Sequence, residues 1–80
     1  MSEMVFFNPG DAIASDHDFN AALRSAEIFH RKQKQHELMI VKEENGKTYA
    51  VFNATDAQTN ASAQTNRYQI AKRMPKTTFH

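Results

Sequence analysis

Two groups of cations stand out in the sequence. Arg31, Lys32 and Lys34 form one; Arg67, Lys72, Arg73 and Lys76 form the other, with Tyr68 inside it. Ammonium and guanidinium groups brought together bind phosphate backbones, and an aromatic ring among them can stack on a base. If the two groups converge, they make a patch for direct DNA or RNA binding. The plainer alternative for each is a solvated surface, with the first group placed where a helix ends and cations are favoured.

Other chemistry has thinner support. His30 and His36 are six apart, which is not the i, i+4 spacing that sets two ligands on one helical face; His17 and His80 lie far off, and there is no Cys. The sequence therefore predicts neither a metal site nor thiol chemistry. Gly10 and Gly46 are the only glycines, so no Gly-rich phosphate loop is present. Asp16 and Asp18 suit a helix start, and Glu43 and Glu44 suit a solvated hairpin tip. No nucleophile, base and orienting group assemble from Ser, His and Asp at any telling spacing. The expectation is a protein that is not an enzyme and takes no cofactor.

The net charge of +1 hides an asymmetry. Residues 1–29 hold five acids (Glu3, Asp11, Asp16, Asp18 and Glu27) against Arg24 alone, whereas residues 57–80 hold four cations and no acid. Such a layout steers association without setting the fold. Eighty residues with a 40% hydrophobic fraction make one small domain, residues 1–80, with residues 75–80 expected to fray. The first residues show neither a signal peptide nor a membrane span, so a cytoplasmic location is expected.

The stretch that must organise the chain is Leu38 to Phe52. Two β-rich runs flank Asn45-Gly46, a strong hairpin signal that predicts a type I′ turn with φ > 0 at both positions. This turn sets the register: Glu43 opposite Thr48, Lys42 opposite Tyr49, Val41 opposite Ala50, Ile40 opposite Val51 and Met39 opposite Phe52. One face then carries Leu38, Ile40, Tyr49 and Val51, the other Met39, Val41, Ala50 and Phe52. Both faces are apolar, so both need cover.

Ahead of the hairpin, residues 3–8 read as a strand ended by Asn8-Pro9-Gly10, and residues 11–15 as a connection. Ser15 is a helix N-cap candidate, and the apolar spacing of Phe19, Ala22, Leu23, Ala26 and Phe29 predicts a helix over 16–34. Ile28 points away from that stripe. It is either a singly exposed Ile or an anchor for a partner.

After the hairpin (38–53), Thr55 and Gln58 make a possible capping box. The tetrapeptide Ala-Gln-Thr-Asn occurs at 57–60 and again at 63–66 and reads as a polar helix start or a loop. Residues 67–74 fit either a helix ending before Pro75, the preferred reading, or a strand with Tyr68, Ile70 and Met74 on one face. The predicted architecture is α+β in the order β-α-β-β-α: an antiparallel sheet, the central helix on one face, and the C-terminal segment or another molecule on the second. A monomer is preferred over a homodimer, because Tyr68, Ile70 and Met74 can cover a two-stranded patch.

The helix segment Phe19-Asn-Ala-Ala-Leu-Arg-Ser-Ala and the hairpin Val41-Lys-Glu-Glu-Asn-Gly-Lys-Thr-Tyr resemble, in size and layout over residues 15–55, the compact helix-plus-hairpin inhibitors encoded by phages and mobile elements, anti-CRISPR proteins among them. The resemblance implies a non-catalytic inhibitor or adaptor that docks on a host nucleoprotein complex and blocks nucleic-acid access. A net charge of +1 separates the chain from the strongly acidic DNA mimics in that group. The expected partner is a protein, with direct nucleic-acid binding as the alternative and no membrane contact. The residues expected to carry binding are Ile28, Arg31, Lys32, Lys34, Arg67, Tyr68, Lys72 and Arg73.

Overall fold

The computed structural model describes residues 4–33, 35–44, 46–58 and 63–75. The fold is α+β, one helix on a five-stranded antiparallel sheet. In chain order the elements are β1 (Met4–Phe7), β2 (Ala14–Asp16), α1 (Phe19–Lys32), β3 (Leu38–Glu43), β4 (Tyr49–Asn53) and β5 (Asn66–Met74), with 3₁₀ turns at Pro9–Asp11 and Ala54–Asp56. The strands lie side by side as β1-β5-β3-β4-β2.

The central hairpin keeps the register its sequence predicts, from Lys42 opposite Tyr49 to Leu38 opposite Asn53. Its two faces are two separate cores. Leu38, Ile40 and Val51 pack with Ala22 and Ala26 of α1, whereas Met39, Val41, Ala50 and Phe52 pack with Val5, Phe7 and Tyr68. The run Leu38–Val41 is buried throughout because β3 is the central strand, covered on both faces. The tip departs from the expected turn. Gly46 has no positive φ, and Asn45 lies outside the described residues. The ends are tied instead by Glu43 N–H donating to the Thr48 carbonyl (3.1 Å) and Gly46 N–H to the Glu43 carbonyl (3.4 Å).

The helix carries the predicted apolar stripe but starts later. Ala14–Asp16, read as the end of a connection, the N-cap and the first helical residue, are a strand paired with Val51, Ala50 and Tyr49. Asp16 Oδ1 then accepts from Asp18 N–H at 3.1 Å and turns the chain, so that Asp18 rather than Ser15 stands at the N-cap. Sheet pairing outcompetes the cap because it satisfies backbone groups on three residues. Ala22 and Ala26, one turn apart and fully buried, let the helix sit close to the sheet.

The C-terminal segment is a strand and not the preferred helix. β5 pairs with β1 on one side and β3 on the other, and so lies inside the sheet. A bulge opposite Ile40/Val41 shifts its register: Val41 faces Ile70, yet Ile40 faces Lys72. The strand's alternation resets there. Tyr68 and Ile70 face the Phe52 core, whereas Met74 crosses to the helix side and packs near Leu38. Thr55 and Gln58 form no capping box: Ala54–Asp56 is a 3₁₀ turn, and Gln58 exchanges both backbone hydrogen bonds with Phe6, extending the sheet beyond β1. Residues 59–62, within the polar repeat, lie outside the described residues.

The second face of the hairpin is sealed by the sheet itself. Phe7 of β1 stacks on Phe52 of β4 with ring centroids 4.1 Å apart and planes within 5°, and Tyr68 closes on Phe52 at 5.4 Å. Two strands separate β1 from β4, so the sheet curls around these rings. Ala12, Ala54 and Ala57 from the two 3₁₀ segments close what remains. Phe52 is fully buried. Phe52→Ala is expected to cost about 3–5 kcal/mol, most of the stability of such a domain. Gly46→Ala should cost less, about 1–2 kcal/mol: no left-handed φ is needed, but the new Cβ would stand 2.6 Å from Glu43 Oε1 and 3.2 Å from Glu43 Cβ, so the Glu43 side chain has to swing away and its strand end to give slightly. Thermal unfolding followed by circular dichroism compares the two, and a Phe52→Ala melt close to wild type would contradict the sealed face.

Candidate interaction surfaces

The helix has two flanks, and they differ. On the β2 side, Ser25, Ile28, Phe29 and Lys32 line a shallow depression with Ile13 and Ala14. Ile28 is 48% exposed, the one large hydrophobic residue exposed among those described. Its position out of phase with the buried stripe was visible in the helical periodicity. Lys32 lies one turn further on, so two expected binding residues share this rim. Ile13 and Ala14 complete it, and only the pairing of β2 with β4 places them there.

On the other flank the helix meets the end of β5. His30 Nε2 lies 2.9 Å from the Pro75 carbonyl, which only accepts, so His30 carries its proton on Nε2 and donates. Arg31 is exposed in the last helical turn with Lys32, as cations at a helix C-terminus should be. Lys34 and Lys76 lie outside the described residues.

The second basic group does not form one patch. Arg67 pairs with Phe6 across the sheet, on the face that carries α1, and its Nε lies 3.1 Å from Glu44 Oε2. The bulge puts Lys72 on that same face, opposite Ile40. Arg73 stands opposite Met39 on the other face, with Nη1 3.9 Å from Glu37 Oε2. Both ion pairs are exposed and contribute little to stability.

Tyr68 belongs to the inner core and not to a basic surface. It is 3% exposed, its ring edge-on to Phe7 at 6.2 Å, and a base cannot reach it. Between Arg67 and Gln69 it reads as a surface residue, and only strand alternation turns it inward. Lys42, by contrast, belongs to the surface and was passed over: it stands opposite Tyr49 and Gln69, its Nζ 6.0 Å from the Tyr49 ring centre. Among the described residues no group of three His, Asp or Glu could hold a metal ion, and no helix is long and apolar enough to cross a membrane.

Comparison with known proteins returns no match to a family model, a curated protein or a solved structure.

Burial holds the Tyr68 phenol above its ordinary value of 10.0; the Asn66 side chain, by hydrogen bonding, pulls it back, and Glu43 adds a smaller push upward. The folded phenol thus ionises at higher pH than the unfolded one. Its contribution to stability is intact below about pH 10 and is lost as pH rises through the raised folded value. Tyr68→Phe keeps the ring packing and removes that proton. Its melting temperature should fall less steeply above about pH 10 than that of wild type. Equal slopes in a pH series of thermal melts would place the hydroxyl in solvent.

Proposed function

We propose that the protein is a non-catalytic binding module, an inhibitor or adaptor that docks on a protein partner through the Ile28 rim. The observation that supports this reading is the half-exposed Ile28 beside Ile13, Ala14 and Phe29. The inner apolar strip of the hairpin, the other candidate anchor, is consumed by the chain's own core. An aliphatic anchor over a shallow apolar floor, with a cation at its edge, fits the make-up of an interface centre and its polar rim. A stable interface takes about 800 Å² from each partner. That is a sizeable part of the 5522 Å² this chain exposes, so most of one flank would be covered. The layout shared with phage-type inhibitors suggests a host nucleoprotein complex as the partner, and an anti-defence role follows from that likeness.

Ile28→Asp tests the reading without disturbing the fold, since the side chain packs on no buried cluster. Wild-type and variant proteins with equal melting temperatures serve as baits in a bacterial lysate. A protein retained by wild type and lost by Ile28→Asp is the expected result. Recovery of nucleic acid alone, or equal capture of the same protein by both baits, would overturn it.

A further inference from the structure

The helix packs chiefly on β2, β4 and β3. On the face it occupies, β1 and the first part of β5 lie beyond it, and that half of the sheet is a floor with α1 as its wall. Register fixes what the floor carries. One row across the strands runs Met4, Gln69, Lys42, Tyr49. The next pairs Phe6 with Arg67, and on the other side of the row Lys72 stands beside Ile40. Paired residues in an antiparallel sheet share a face, so Lys42, Arg67 and Lys72 all present their charge on this one.

The wall side adds His30, hydrogen-bonded to Pro75, and by helical periodicity Glu27 and Arg31 lie along the same flank. Glu44 is paired with Arg67, and Asp16 stands at the far end of the row beyond Tyr49. On the strands of this face Lys42, Arg67 and Lys72 stand against Glu44, with Glu43 lining the same hollow as Arg67. The Arg67–Glu44 pair is exposed and exchanges readily for another anion.

The geometry points to this half-open sheet face as a binding site for single-stranded nucleic acid, distinct from the Ile28 rim on the opposite flank. Three cations spread over adjacent strands match a run of phosphates. Beside Arg67, on the outer strand β1, lies a half-buried aromatic ring, Phe6. A ring stacks on any unpaired base. A duplex keeps its base faces stacked inside and would leave the ring unused. The bulge in β5 matters here. Without it Lys72 would turn to the opposite face, where Arg73 stands.

Fluorescence anisotropy with labelled DNA and RNA strands of about 12 nucleotides tests the assignment. Affinity should fall with salt at a log–log slope of about −2, as three phosphate contacts on a single strand predict. Lys42→Gln with Lys72→Gln should weaken binding at least about tenfold at about 50 mM salt and flatten the slope to about −0.7. Arg24→Gln with Arg73→Gln makes the same change in net charge away from the face and should leave affinity within about twofold. Phe6→Leu should weaken binding while leaving the salt slope unchanged, because stacking releases no counterions. Equal losses in the two double variants would reduce the effect to net charge and overturn the site. So would tighter binding to a duplex of the same sequence, or displacement of the strand by a polyglutamate peptide at matched charge, which would make the face a dock for acidic protein segments. Absence of binding to either strand at low salt would also end the proposal.

Discussion

The fold depends on the contact between Phe7 and Phe52. In a flat sheet, strands separated by two others lie about 14 Å apart at the usual spacing of about 4.8 Å per strand. These rings stack at 4.1 Å. The sheet must therefore curl until its first and fourth strands face one another, and Tyr68 fills the angle between them. That curl is what lets so short a chain bury a two-faced hairpin. One core lies inside the curl, the other between its outer surface and α1. Among the described residues, neither core contains a buried charged side chain.

The same curl sets the limits of the helix. A straight helix of 14 residues on a convex surface touches only part of it. Here it covers β2, β4 and β3 and leaves the β1–β5 side of that surface beyond its edge. The surface is thereby divided into an apolar flank with Ile28 and a cationic flank with Lys42, Arg67 and Lys72. A chain that occupies one flank with a protein and the other with a nucleic-acid strand would be an adaptor by construction.

The hairpin and the helix stripe could be read from the sequence because their signals are local. Alternation around Asn45-Gly46 allows one register, and α1 repeats its apolar residues at one period. Ile28 was legible for the same reason, as the residue that breaks that period. β5 was not. Its bulge puts Tyr68 and Ile70 on one face and Met74 on the other, a pattern that no single strand period describes. β2 is three residues of Ala, Ser and Asp, with little strand preference of their own; pairing with β4 makes it a strand. The cationic face was hidden for a related reason. Lys42 and Lys72 are thirty residues apart in sequence, and only the placement of β5 beside β3 brings their strands together.

The strand order has a consequence for biosynthesis. β1 leaves the ribosome ahead of every other element described, yet its ladder partner, β5, follows all of them. The helix and the β3–β4 hairpin can form from neighbouring residues while β1 waits with Val5 and Phe7 unpaired. Contacts that span most of a chain are slow to close, because the loop entropy is lost before the contact is gained. In that interval the inner core is open and an unpaired apolar strand is available to other chains, so the nascent protein is most open to aggregation just before β5 emerges.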